Sequence, residues 1–189
     1  MNVVTYADVF QPRSEVGGRL YNLTLVVLGS IFIALMAQVR IPLPFSPVPV
    51  TGQTLAILLI GMLYGRNRAL ATVGLYLSEG LMGLPVFAGG AGLSYFLGPT
   101  GGYLIGFLFA AYLLGMFAEW GWDRRFGSAF LAMMIGSVVV LTLGTIYLAA
   151  FTGWKTAWMS GFLPFIGVDI VKSIVAATLL PAGWRILKK

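Results

Sequence analysis

The 189-residue sequence has no cysteine and no histidine, and only 10% of its residues are charged. Without cysteine there are no disulfides and no thiolate metal sites. Without histidine the commonest general base and metal ligand is missing as well. Ordinary hydrolytic catalysis is therefore poorly supplied. A soluble domain carries about a quarter charged residues, whereas six acidic and twelve basic side chains leave too little polar surface to cover a core in water. A water-soluble globular fold is excluded. Apolar residues are what the chain has in abundance, at 59%, so the expected surroundings are lipid. The net charge of +6 does not point to nucleic acid, because the basic residues fall in short groups between apolar runs rather than on one face.

Residues 20–39 are uncharged between Arg19 and Arg40, which at ~1.5 Å per residue matches a hydrocarbon core of about 30 Å. Further spans are predicted over 51–64, 69–84, 99–118, 128–150 and 161–184. Arg66-Asn67-Arg68 reads as a tight basic turn between the second and third. Four prolines between Ile41 and Pro49 forbid helix and favour a stiff connector. Eight glycines among the 23 residues from Gly80 to Gly102 predict a long loop. Residues 1–19 lack the basic start, apolar run and cleavage site of a secretory signal, so the first span is expected to be retained. The expected fold is all-α: a polytopic six-helix membrane bundle, one domain over 1–189, with residues 1–19 as a cytoplasmic N-terminal segment. No internal repeat divides it.

Six spans put both termini on one side. Arg13, Arg19, Arg66, Arg68, Arg124, Arg125, Arg185, Lys188 and Lys189 then share a face, with only Arg40 and Lys155 opposite. The positive-inside rule makes that face cytoplasmic. The proline loop, the glycine loop and the Trp154-Lys155 loop are then external.

Ionisable residues inside a membrane cost roughly 2.5 to 3.5 kcal/mol each on insertion scales, so Glu79, Asp169 and Lys172 need a reason to be there. Asp169 and Lys172 are three apart and share one helix face, where opposite charges offset each other's desolvation. All three are expected in the outer half of the bundle, beneath the external loops. One explanation is a structural ion pair holding two helices. Their position under two unusual loops favours a binding pocket. Glu79 alone also fits a carboxylate that reaches the interface near a helix end.

Thr51 is placed to cap the second span, and Gln53 offers donors and an acceptor to a polar ligand at the span mouth. Glycines such as Gly90 in Gly83-Leu84-Pro85-Val86-Phe87-Ala88-Gly89-Gly90 either permit a turn or let backbone approach a ligand. No GxxxxGK phosphate loop occurs. In the first span Ser30 and Ala34 have small-xxx-small spacing, suited to packing within the bundle or to docking a membrane partner.

Taken together, Arg40-Ile41-Pro42-Leu43-Pro44, Val48-Pro49-Val50-Thr51-Gly52-Gln53-Thr54, Gly83 to Gly90, and Gly98-Pro99-Thr100-Gly101-Gly102-Tyr103 resemble the BioY family. Its members are the biotin-specific substrate-binding subunits of energy-coupling-factor importers. The resemblance implies a membrane subunit that captures biotin from outside and works with a transmembrane coupling protein and two cytoplasmic ATPases. It has no cofactor beyond the transported ligand, is not an enzyme, and resides in the bacterial plasma membrane. It implies substrate contacts near Gln53 and at Asp169 and Lys172, and partner contact at Ser30 and Ala34, where serine replaces the family's usual alanine.

Biotin presents two ureido N–H donors, a carbonyl and a carboxylate. Asp169 could accept the N–H groups, and Lys172 could meet either the carbonyl or the carboxylate. Phe87 and Tyr103 would flank the thiophane ring. The residue set as a whole is Thr51, Gln53, Glu79, Phe87, Gly90, Tyr103, Asp169 and Lys172. A self-sufficient proton- or sodium-coupled carrier, with Glu79 or Asp169 titrating, is the alternative from another class.

Overall fold

The computed structural model describes residues 5–187, so Lys188 and Lys189 lie outside the described residues. The described chain is mostly helical. A short helix α1 (Tyr6–Val9) precedes α2 (Glu15–Gln38). Ser14 caps α2, accepting the Gly17 N–H at 3.2 Å. The helix therefore starts ahead of the expected 20–39, because a cap and not the first uncharged residue decides where it begins.

Two short strands, β1 (Arg40–Ile41) and β2 (Val50–Thr51), pair antiparallel, with Arg40 opposite Thr51. They close the base of the four-proline loop. Then come α3 (Gln53–Tyr64) and α4 (Arg66–Leu81). The turn between them is Gly65 alone, at φ 78°, so the expected basic turn is instead the first turn of α4. Positive charge at a helix N-terminus is unfavourable. Here Glu119 offsets it by accepting the Arg66 N–H at 3.0 Å and lying 3.3 Å from its side chain.

The glycine-rich stretch is a loop, as expected, interrupted by one short helix, α5 (Gly92–Phe96). Helix α6 (Gly101–Glu119) leads through a 3-10 turn (Trp122–Arg124) to α7 (Phe126–Thr152). The last run is continuous over Trp154–Leu187. It comprises α8 (Trp154–Ala157), a π turn (Trp158–Phe162) and α9 (Leu163–Leu187). It begins well before the expected 161. Pro181 lies inside α9 and removes one ladder bond; the Tyr6 hydroxyl donates to the Leu180 carbonyl beside it.

Four helical runs are long and apolar enough to cross a membrane: α2, α6, α7 and 154–187. With 12 residues, α3 is only about 18 Å long, well short of a bilayer core. It survives because protein covers it: Ala56, Ile57, Leu58, Ile60 and Met62 are buried. Helix α6 is central, with 67% of its apolar window buried, and α2 is peripheral at 22%. Close crossing of α6 and α7 depends on glycine. A Cβ at Gly144 would sit 2.2 Å from the Tyr103 ring, so only a missing side chain lets that ring lie between the helices.

At the end bearing α1, Arg68 ties the helices together. Its guanidinium donates to Asp8, Asn22 and Gln11, each at 2.7 Å. Burial alone would raise the Asp8 carboxyl. Hydrogen bonds from Thr5 and the Arg68 charge outweigh it and hold the group below its usual range. Nearby Asp123 is fully buried and accepts the Trp184 indole N–H at 2.5 Å. Its carboxyl is pushed up to about 6 by burial, which that bond and the Arg124 charge only partly oppose.

Candidate functional site: a cavity beneath the external loops

Residues from six elements converge on one cavity. Thr51, Gln53 and Thr54 come from the start of α3; Ala88, Tyr95 and Thr100 from the glycine-rich stretch; Tyr103, Leu104 and Phe107 from α6; Val140 and Leu141 from α7. Phe165, Asp169 and Lys172 come from α9. The walls are apolar and aromatic, and the charge is confined to one spot. Lys172 Nζ lies 3.3 Å from Asp169 Oδ1, with Asp169 buried at 2% exposure. An ammonium carries three donors, and Asp169 takes one. The pair gives the cavity strong polarity with no net charge. Its free volume is about 40 Å³, against roughly 300 Å³ at the lower end for ligand sites. A vitamin-sized guest therefore needs the loops or side chains to move.

The mouth is built by short polar contacts. Thr51 Oγ1 accepts the Gln53 N–H and donates to Gln53 Oε1, both at 3.3 Å, so Thr51 does cap the start of α3. The Gln53 amide donates to the Tyr76 hydroxyl at 2.5 Å, and Tyr76 donates to the Val86 carbonyl at 3.1 Å. Gln53 thus lines the cavity while fixing the glycine loop to α4. Tyr103 lines it too, and its hydroxyl donates to the Gly161 carbonyl in the π turn at 2.7 Å.

Other expected site residues lie elsewhere. Phe87 is fully buried, edge-on to Tyr76 at 5.6 Å and stacked on Tyr95 at 5.2 Å. Gly90 lies under the Tyr95 ring, which a Cβ there would meet at 2.1 Å. Both support Tyr95 from behind, and it is Tyr95 that faces the cavity. Glu79 is not on the lining. It accepts the Ser30 hydroxyl from α2 and flanks a side groove with Ala34, Leu35 and Gln38. The three charges expected at one place are therefore split by the body of α4. Ser30 itself is fully buried, so the small-residue stripe of α2 faces α4 within the fold.

Two lining residues escaped the sequence reading. Phe165 is one turn before Asp169, so the spacing 165, 169, 172 marks one helix face and could have exposed it. Tyr95 carries only the weaker signal of an aromatic ring within a glycine-rich stretch.

The sequence over residues 10–189 matches the BioY family. Among curated relatives, the biotin transporter BioY2 of Lactococcus lactis subsp. cremoris is 37% identical over 163 residues, covering 83% of this chain and 86% of its own length. The biotin transporter BioY of Rhizobium etli is 38% identical over 168 residues, covering 84% and 90%. The chain belongs to the BioY family. A solved structure, the S-component for biotin from an ECF-type ABC transporter, superposes with a TM-score of 0.81 at 30% identity, covering 94% of this chain and 96% of that one. With its apolar helices, this BioY family member is a multi-pass membrane protein.

Proposed function

We propose that this chain captures biotin at the outer face of the cell membrane as the S subunit of an energy-coupling-factor importer. The observation that carries the proposal is the Asp169–Lys172 pair held at 3.3 Å inside an otherwise apolar cavity. A cyclic urea places its N–H donors and its carbonyl on adjacent ring atoms. A carboxylate and an ammonium side by side meet both at once: Asp169 accepts from the N–H groups and Lys172 donates to the carbonyl. The valerate carboxylate, a chain length away, then points toward the mouth between Thr51, Tyr95 and Thr100. Tyr103, Phe107 and Phe165 pack the thiophane ring.

The family relatives, named as biotin transporters, and the ECF S-component support this reading. In it the chain is not an enzyme and needs no cofactor. The energy comes from a transmembrane coupling protein with two cytoplasmic ATPases, since a tenfold gradient costs about 1.4 kcal/mol and no phosphate loop is present. The same reading puts six helices across the bilayer, with the short α3 shielded by its neighbours and both termini in the cytoplasm.

Equilibrium binding to the purified chain, with biotin, thiamine and riboflavin compared side by side, tests the assignment. One-to-one binding of biotin alone is expected. Equal affinity for all three, or none for biotin, refutes it.

A further inference from the structure

The turn between α6 and α7 joins two helices that are long and apolar enough to cross a membrane, so it lies at a bilayer surface. A second cavity opens there, lined by Trp120, Gly121, Trp122, Arg124, Arg125 and Ser128. Its two cations come from adjacent positions. Arg125 is exposed, and Arg124 is held with its guanidinium 4.6 Å from the centre of the Trp184 ring.

The neighbouring carboxylates are engaged away from this space. Glu119 accepts the Arg66 N–H and pairs with its side chain. Asp123 is buried and bound to the Trp184 indole. The aromatic walls are fixed. Trp122 stacks on Phe117 at 4.6 Å and 11°, and the Ser128 hydroxyl donates to the Trp122 carbonyl at 2.7 Å. Trp120 and Phe126 stand 58% and 49% exposed at the rim, where apolar rings favour the acyl–headgroup boundary.

We propose that this cavity binds the phosphate of an anionic phospholipid headgroup. Guanidinium groups match phosphate oxygens by geometry as well as charge, and phosphodiesters are the prevailing anions at that depth. The basic distribution assigns the turn to the cytoplasmic leaflet, whose anionic lipids supply the ligand. Tryptophan rings beside the headgroup pack the glycerol and the first acyl carbons.

Native mass spectrometry of the full chain in a non-ionic detergent tests this, with phosphatidylglycerol and phosphatidylcholine of matched acyl chains added separately. Preferential retention of phosphatidylglycerol is expected, with Arg125→Gln lowering it about fivefold and Arg13→Gln, basic but remote from the cavity, leaving it unchanged. Trp120→Ala is the second variant and is expected to lower retention as well. Excess inorganic phosphate should leave the lipid bound. Equal retention of phosphatidylcholine, or unchanged phosphatidylglycerol retention in both cavity variants, overturns the proposal. Displacement by inorganic phosphate overturns it too, because the cavity would then be a small-anion site.

Discussion

Tyr103 and Gly161 are joined across the bundle, the tyrosine hydroxyl donating to the glycine carbonyl at 2.7 Å. The bond satisfies a carbonyl inside the π turn, which sits two turns above Asp169 on the same continuous helix. Tyr103→Phe leaves that acceptor buried and unpaired, at a cost of about 1–3 kcal/mol. A lower melting temperature in detergent is expected, together with weaker biotin binding because the position of Asp169 is loosened. Unchanged values for both would show that the π turn needs no anchor.

Lys172→Ala and Asp169→Asn should each weaken biotin binding by about 10- to 150-fold, the equivalent of one charge-assisted bond of roughly 1.5–3 kcal/mol. Calorimetric titration of variants shown to be folded reads this directly. Wild-type affinity in both would rule out the pair as the ureido contact.

Gly89 has φ 93°, and a Cβ there would lie 1.4 Å from the Arg40 guanidinium. Gly89→Ala should therefore unfasten the glycine loop from the proline loop while leaving the helices intact. Faster dissociation of biotin with unaltered far-UV circular dichroism is the expected signature in a stopped-flow chase.

Two carboxyls outside the spans shift in opposite directions. Asp123, raised by burial to about 6, favours folding while protonated. Its contribution is full below the unfolded value of ~4 and is lost as pH rises through about 6. Asp8, held low against its burial by Thr5 and Arg68, stabilises above its unfolded value and stops doing so as pH falls through its lower folded value. Melting curves of Asp123→Asn should lack the decline between pH 4 and 6 that the parent shows, and Asp8→Asn should lose stability at neutral pH. A parent profile flat from pH 4 to 6 would contradict the Asp123 assignment.

A chain without cysteine suits single-cysteine labelling. Glu15→Cys and Lys155→Cys are both exposed sites. An impermeant maleimide applied to intact cells should label the second, and the first only after permeabilisation. The reverse pattern would invert the topology.

The helical bundle was legible because lipid imposes long uncharged runs, and the Asp169–Lys172 pair because i,i+3 spacing fixes a common face regardless of surroundings. What was not legible depended on rotation and on distant partners. Which way Glu79 turns around α4 is decided by Ser30, 49 positions earlier in the chain. The role of Phe87 is decided by Gly80, Tyr76 and Tyr95 closing around it. The π turn over Trp-Met-Ser-Gly-Phe contains no helix breaker in sequence and depends on a hydroxyl from another helix. The shortness of α3 escaped notice because an apolar run signals burial without saying whether lipid or protein provides it.

The two opposite ions of the α9 cavity sum to zero, and this bears on energetics across a polarised bilayer. An electric field does no net work on a neutral couple that shifts through it, whereas each uncompensated elementary charge feels about 2.3 kcal/mol per 100 mV. When vacant, the receptor can therefore reorient at no electrical expense. Only the carboxylate of its passenger, moving toward a negative interior, has to be driven by nucleotide hydrolysis elsewhere in the assembly.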